Sequence, residues 1–557
     1  MTNRDVARIL DRIADMLQIK DENPFKIRAY RKAADSIYHL DEDLAYIHKN
    51  GRIGDIPAVG KALQSKIEEM LEKGSCEYYE RLAREVPEGL LDMLALPGIG
   101  HKTVKLIYDE LGIDNRPDLL KAARGKRIRA LPGLGAKTEY NIKKGMEMLQ
   151  EASAKSTLGL ALPLAEELCD YLRKSEAVEQ VAITGSIRRG KALVSDIDIM
   201  AASRSFEAVH RAVSGYRGLE EIESQGIDHI KGRLAYNLNF EIIIVPPAEY
   251  LSQLFWSTGS KEHIEQIRKL NEEEQEGDFS SEEAFYARMD MQYIPPELRE
   301  NRGEIEAARK GELPNLIELS DIKGDLHTHS RWSDGAHDIG EMLQAAKDSG
   351  YSYLAITEHS RSLPISGGLN EERLHAQGKV IDALNLDLDE FRVLKGSEVD
   401  ILKDGSLDFD DDVLEELDIV IGSVHSNFKL ERDKQSERII RAIKNEKVDI
   451  IGHLSGRLLN RRPGYELDRE KILEAAAHNK KILEINAHPD RLDIDEETAK
   501  IAKDMGIKVA INSDAHSKQD LKLMKYGVIN ARRGWLEPAD VVNSWELADL
   551  LDYIQKK

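Results

Sequence analysis

From about Ile322 onward, short apolar runs alternate with helical stretches roughly every 30 residues, the rhythm of βα units. The runs are DIKGDLHTH, YLAITEH, FRVLKGSEVDI, DIVIGSVH, VDIIGH, KILEIN and KVAINSDAH. That repeat confines the region to a parallel barrel or sheet, whose strand ends deliver side chains to a single mouth. Ten of the sixteen histidines lie beyond residue 320. Most runs end on metal-type donors: His327 and His329, Asp334 just beyond, His359, Glu398, His425, His453, then Asp514 and His516. A lone histidine at a strand end is ordinarily structural, but six of them with three carboxylates form a metal-site pattern. Imidazole and carboxylate without thiolate suit Zn²⁺, Mn²⁺ or Fe²⁺. Nine donors exceed the needs of one ion and suit three ions sharing bridging groups.

This set resembles the PHP (polymerase and histidinol phosphatase) domain, every ligand position of which is filled here. One neighbour departs from that family's pattern, Glu358 standing in TEH where TDH is common. The resemblance implies a distorted β/α barrel holding up to three ions, Mn²⁺ and/or Zn²⁺, for phosphate-ester hydrolysis. Arg457 and Arg491 are candidates for gripping a substrate phosphate, while Glu484 and His488 are expected to shape the pocket.

The middle of the chain carries a second pattern, TGSIRRGKALVSDIDIM over 184–200. Asp196 and Asp198 are two apart on a strand-like run, so both face one side. Two like charges there are costly unless a cation lies between them. Gly185, Ser186 and the Arg188-Arg189-Gly190 run offer a turn, a hydroxyl and guanidinium groups suited to a triphosphate. Together these resemble the nucleotidyltransferase palm of family X DNA polymerases. By that resemblance Glu241, in FEIIIV, is the third carboxylate, and the site takes two ions, Mg²⁺ or Mn²⁺. Ser186 and Arg189 would meet the triphosphate, and Trp256 and Gly259, in LFWSTGSKEH, would line the nucleotide pocket. Ser195, Glu241 (for Asp), Ile243, the Trp256-Ser257 pair and Ile264 depart from the family's usual residues.

The first 150 residues read as short helices broken by Gly and Pro. Three turns repeat, IPAVGK (56–61), LPGIGHK (96–102) and LPGLGAK (131–137). Each leaves backbone N–H groups free at the next helix's start, where an anion binds. Net charge is −22 overall, yet this stretch holds 26 Lys and Arg against 24 Asp and Glu. It includes the basic run Lys121 to Arg129, so phosphodiester contact is expected here. The turns resemble the helix-hairpin-helix of DNA repair proteins. The DNA-contacting candidates are Gly98, Gly100, Lys102, Gly133, Gly135 and Lys137, with Arg268 farther along. NPFKIRAYRKAADSI (23–37) followed by IPAVGKALQSKIEEM further resembles the family X lyase domain. That resemblance puts Lys66 at the Schiff-base position, with Lys26 and Tyr30 beside a 5′-phosphate.

At 557 residues the chain needs several cores. No apolar run reaches the ~18–20 residues that cross a bilayer, and the start reads as an amphipathic helix rather than a signal peptide. Cys76 and Cys169 offer neither a disulfide framework nor a thiolate site. Residues 151–160 read as a linker. The expected architecture is an all-α lyase-like domain (1–85), helix-hairpin-helix fingers (86–154), an α+β palm (155–245), a helical thumb (246–320) and the barrel (321–557). That order is similar to the family X polymerases that carry a C-terminal PHP domain. It implies a repair enzyme that fills gapped or nicked double-stranded DNA from dNTPs and trims 3′ ends with Mn²⁺; composition points to the cytoplasm, and a monomer is the default expectation. The alternative is a metal-dependent 3′-end nuclease or phosphatase on a degenerate palm.

Overall fold

Glycine punctuation sets the N-terminal helices. In the computed structural model, which describes residues 1, 3–38, 40, 44–94, 96, 99–153, 155–226, 228–270, 279–363 and 366–555, the chain divides into two units, Met1–Ser153 and Ala154–Lys557. In the first, helices Lys61–Lys73 and His101–Leu111 both begin after a glycine (Gly60, Gly100) and end on a left-handed one (Gly74, Gly112). One apolar core runs through the unit from Val6 to Met146, with Leu10, Ile13, Leu17, Ile37, Ile67, Val104 and Leu119 fully or almost fully buried. The lyase-like and finger segments therefore share a core.

The stretch expected to be a linker is mostly regular structure. Helix Ala136–Ser153 runs into it, the short strand Ser156–Thr157 follows, and helix Leu158–Arg173 begins within it. Glu151, Ala152 and Leu158 are good helix formers, and Ser156–Thr157 is held by antiparallel pairing with Leu193–Val194.

The second unit contains a five-stranded mixed sheet. Its two central strands, Asp196–Ala202 and Leu238–Val245, run parallel, and the remaining pairs are antiparallel. Leu158, Leu168, Ile197, Ile199 and Phe240 form its core, joined by Leu492 and Tyr526 from the C-terminal region. The helical stretch 246–320 centres on Phe255, Phe285 and Tyr286. Ile264 is buried in that cluster, which accounts for an apolar residue there.

All seven apolar runs beyond residue 322 form strands or reach into them, in one parallel sheet ordered by sequence. A single bridge, Thr328 to Ala515, and the buried Asn543 draw its two edges together. Asn543 Oδ1 accepts from Ile511 N at 2.7 Å, and its Nδ2 donates to Gly324 O at 3.0 Å and Asn512 Oδ1 at 3.1 Å. Inside, strand alternation puts Tyr353, Leu394 and Ile421 on the same faces as His359, Glu398 and His425. The apolar set packs with Leu550 of the C-terminal helix Leu547–Gln555, so one end of the barrel is plugged and the other is left polar.

Candidate active sites

The polar end of the barrel gathers all nine candidate donors. His329, Asp334, His359 and His516 present one donor atom each, all within 4.8 Å of one another. His327, His329 and Asp514 form a second such group, and His359, Glu398 and His425 a third. His453 joins through Nε2, 2.9 Å from Glu398 Oε1. His453 and Asp514 both carry positive φ (23° and 55°), strain that side chains accept where a site demands their direction.

Buried nitrogens and oxygens there lack hydrogen-bond partners: His327 Nε2, both nitrogens of His329, His359 Nδ1, Glu398 Oε2 and His453 Nδ1. Orphaned donors on this scale are rare in proteins, and divalent cations satisfy them. Burial and the neighbouring His516 and His359 rings push His329 down to about 3, so it stays neutral with a lone pair to give.

Glu484 is buried behind the donors. Its Oε1 lies 2.7 Å from His327 Nδ1, which leaves Nε2 facing the mouth, and its Oε2 accepts from His453 N at 2.7 Å. Glu358, the departure in TEH, is occupied elsewhere: it accepts from Ser330 N at 2.9 Å and Gln377 Nε2 at 3.1 Å. Burial raises its carboxyl to about 7. Arg491 Nε reaches to 3.9 Å from Asp514 at the mouth. Arg457 does not face it; its guanidinium holds Arg491 O (2.8 Å) and Leu492 O. Those carbonyls lie on the loop that needs anchoring, and spacing alone does not reveal that.

In the mixed sheet, Asp198 and Glu241 are register partners on the parallel central strands, with Asp196 two residues away on the same face. Gly185 sits at φ +60°, and a Cβ there would fall 2.0 Å from Asp198 Oδ2, so only glycine fits this turn. Burial, then Asp196, then Glu241 raise Asp198 to about 6, and Asp196 is raised in the same direction by burial and Glu241. Ser186 Oγ is buried without a hydrogen-bond partner. A carboxylate group this crowded beside an orphaned hydroxyl fits a bound cation.

Lys231, which the sequence reading passed over, lies opposite Glu241 on the adjoining strand with Nζ 3.0 Å from its Oε1. The alternation in HIKGRL is the signal that could have found it. Arg189, expected on a triphosphate, is buried with its guanidinium on Thr258 O (2.7 Å) and Glu300 (3.0 Å). Glu300 offers it a close counter-charge, which Arg533 and Lys191 share. Ser257 ties the helix Tyr250–Thr258 to Thr184, at 2.7 Å between hydroxyls. Trp256 packs on Phe255 and Phe285, and the Arg268 guanidinium lies 5.3 Å over its ring. Gly259 follows the helix, where a Cβ would strike His263 and Ile264.

In the first unit, Lys26, Tyr30 and Lys66 meet around Tyr78. Lys66 Nζ lies 5.0 Å and Lys26 Nζ 5.5 Å from its ring centre, with Arg81 at 5.1 Å and Tyr30 stacked at 6.1 Å. A hydrogen bond to Tyr78 holds Lys26 above its ordinary value. Around Gly100, Gly133 and Gly135 a Cβ would meet nothing within 4 Å, so bare backbone faces outward, with Lys102 and Lys137 exposed beside it. Gly98 lies outside the described residues.

Residues 1–76 match the helix-hairpin-helix domain, 90–147 the SAM-like helix-hairpin-helix tandem and 325–488 the PHP domain. The DNA polymerase/3′-5′ exonuclease PolX of Bacillus subtilis (strain 168) is 37% identical over 573 aligned residues, covering 100% of both chains. Probable phosphatases match less than half of the chain. That of Thermoanaerobacter sp. (strain X514) is 32% identical over 244 residues, 42% of this chain and 94% of its own. That of Vibrio campbellii is 28% identical over 212 residues, 36% of this chain and 80% of its own. With helix-hairpin-helix segments, a palm-like sheet and a donor-lined barrel in one chain that aligns end to end with such an enzyme, this protein belongs to the PolX family of DNA polymerase/3′-5′ exonucleases.

Proposed function

We propose that this chain extends DNA primers from dNTPs at the palm and removes nucleotides from 3′ ends at the barrel. The carrying observation is that one chain holds both a three-carboxylate palm face against a glycine turn and a nine-donor barrel mouth. The relatives support this over the rival reading. The PolX enzyme corresponds over the whole length, whereas the phosphatases correspond to less than half of it.

In this reading Asp196, Asp198 and Glu241 hold two ions, Mg²⁺ or Mn²⁺, and the nine barrel residues hold up to three, Mn²⁺ and/or Zn²⁺. Bound divalent ions supply Lewis acidity to a phosphoryl oxygen and acidify water. At the palm, Ser186 Oγ and the backbone of the Gly185 turn meet the triphosphate, and Asp198 and Glu241 face the same ions from opposite strands. At the barrel, Glu484 keeps His327 in one tautomer, while Arg491 draws the substrate phosphate toward the mouth. The glycine turns at Gly100, Gly133 and Gly135 take the DNA backbone without reading its sequence. Gapped or nicked DNA is the substrate proposed, acted on by a monomer in the cytoplasm. No described helix is long and apolar enough to cross a membrane. Lys66 is assigned the Schiff-base amine on a 5′-deoxyribose phosphate, with Lys26 and Tyr30 by the phosphate.

The test is a time course on a 5′-labelled primer in a one-nucleotide gap, with Mg²⁺ or Mn²⁺ and with or without dNTPs. Wild type extends with dNTPs and shortens without them. Asp196→Ala/Asp198→Ala loses only extension, and His327→Ala only shortening. Shortening without extension under either metal would leave a nuclease on a silent palm.

A further inference from the structure

Two loops that leave metal-donor strands carry an aromatic and guanidinium stack that no part of the catalysis described so far uses. Phe428 lies three residues past His425, and Arg462 and Tyr465 lie on the loop that follows His453. Arg462 Cζ is 4.4 Å from the Phe428 ring centre, and the Phe428 and Tyr465 rings stack at 6.0 Å and 14°. The loop is tied close to its donor: Gly456 N donates to His453 O at 2.9 Å, and Arg462 Nη2 donates to Gly456 O at 2.7 Å. Tyr465 N donates to Ser455 O at 3.1 Å, and its ring fills the space beside Gly456.

The charges around this stack are unevenly matched. Arg461 pairs with Asp490 at 3.3 Å and Arg457 with Asp495 at 3.5 Å. Arg462 pairs with no carboxylate among the described residues; its donors go to a carbonyl. Among the described residues Arg491 pairs only with Asp514, at 3.9 Å, a carboxylate already shared with His327 and His329. Burial and the Arg491 guanidinium pull Arg462 below its usual value, so the two cations sense one another. Two under-neutralised guanidiniums beside a phosphoesterase mouth are a place for a phosphodiester. A guanidinium packed over a ring is a surface for a nucleobase, since every base has a π face. A small phosphoester would need the first feature and not the second.

We propose that Phe428, Arg462 and Arg491 hold the 3′-terminal nucleotide of a DNA strand at the barrel mouth, its base against the Phe428–Arg462 stack and its phosphodiester between the two guanidiniums. This rests on the 3′-5′ exonuclease reading of the barrel and names the part of that site that selects a nucleotide over other phosphoesters.

The experiment compares two Mn²⁺-dependent reactions of the full chain: shortening of a 5′-labelled single-stranded oligonucleotide and hydrolysis of bis(p-nitrophenyl) phosphate. The readout is the ratio of the two kcat/KM values. In Phe428→Ala and Arg462→Ala the ratio falls about ten-fold, chiefly through a higher KM for the oligonucleotide. Phe428→Trp, which keeps a stacking face, retains the wild-type ratio. Arg462→Lys, which keeps charge but not the plane, falls between. A ratio unchanged in the alanine variants overturns the proposal and leaves the stack as a tie between two loops. If either alanine variant does not fold, Arg462→Lys decides, and an unchanged ratio there overturns it equally. A wild type that shortens no DNA yet hydrolyses the small ester overturns the exonuclease reading itself, and the subsite with it.

Discussion

Asp198 and Glu241 stand directly opposite one another on the two parallel strands at the centre of the palm sheet, on the face that also carries Asp196. Lys231 pairs with Glu241, yet burial and the neighbouring carboxylates still raise Asp196 and Asp198, and the Gly185 turn closes over Asp198 so tightly that a methyl group would collide with it. The charge placed here is costly without a cation, and that cost is measurable.

With Asp198 raised to about 6 by burial and its neighbours, the metal-free native state holds a proton that the unfolded chain releases near its ordinary value. Native stability therefore falls as pH rises from ~4 through ~6, and the full penalty, on the order of 2–3 kcal/mol, stands above that window. Metal-free Asp198→Asn should melt higher than wild type at pH 7.5, and the two should converge near pH 4. Divalent ions should narrow the gap at pH 7.5 by stabilising wild type. Melting curves across pH with chelator and with Mn²⁺ check both statements, and identical profiles would contradict them.

Lys231 already occupies Glu241 with its ammonium 3.0 Å away. An entering divalent ion competes with it for the same oxygen. In Lys231→Ala the Mg²⁺ concentration for half-maximal primer extension should fall about two- to five-fold, because a partly exposed ion pair is a weak competitor. An unchanged metal dependence would mean the lysine is displaced without cost.

Removing the Glu484 carboxylate charge should loosen the barrel without touching a donor. Its contact with His327 Nδ1 sets which ring nitrogen faces the mouth. Glu484→Gln should lower metal retention and DNA shortening by about 10–100-fold while primer extension persists. Elemental analysis after dialysis against graded chelator, run beside the two assays, reads this directly.

Asn543 closes the barrel through bonds to Ile511 N, Gly324 O and Asn512 Oδ1, all buried. Asn543→Leu keeps the branched shape and strands those partners, at a cost of about 3–4 kcal/mol. A melting temperature lower by about 5–10 °C is expected. A melting point within a degree of wild type would show that the Thr328–Ala515 bridge and side-chain packing close the barrel without it.

Most elements and the candidate donors follow from local pattern, although residues 151–160 read as a linker and form helix and strand. Seven apolar runs with helical stretches between them have the rhythm of βα units, and residues at the ends of parallel strands share a mouth, so spacing pointed to nine candidate donors that the barrel brings together. The same held for Asp196 and Asp198, because residues two apart on a strand face one way. Tertiary structure decided what each polar side chain does with its second partner. Glu358 sits one residue from a donor yet turns to Ser330 and Gln377. Arg457 and Arg189 carry the charge a phosphate wants, but carbonyls of other segments and, for Arg189, Glu300 more than a hundred positions away reach them first. Lys231 meets Glu241, and Glu484 meets His327, only through strand pairing or barrel closure. Periodicity is a local property of the chain. Hydrogen-bond and charge satisfaction are settled by whichever group the fold brings within about 3 Å, and sequence distance does not report that.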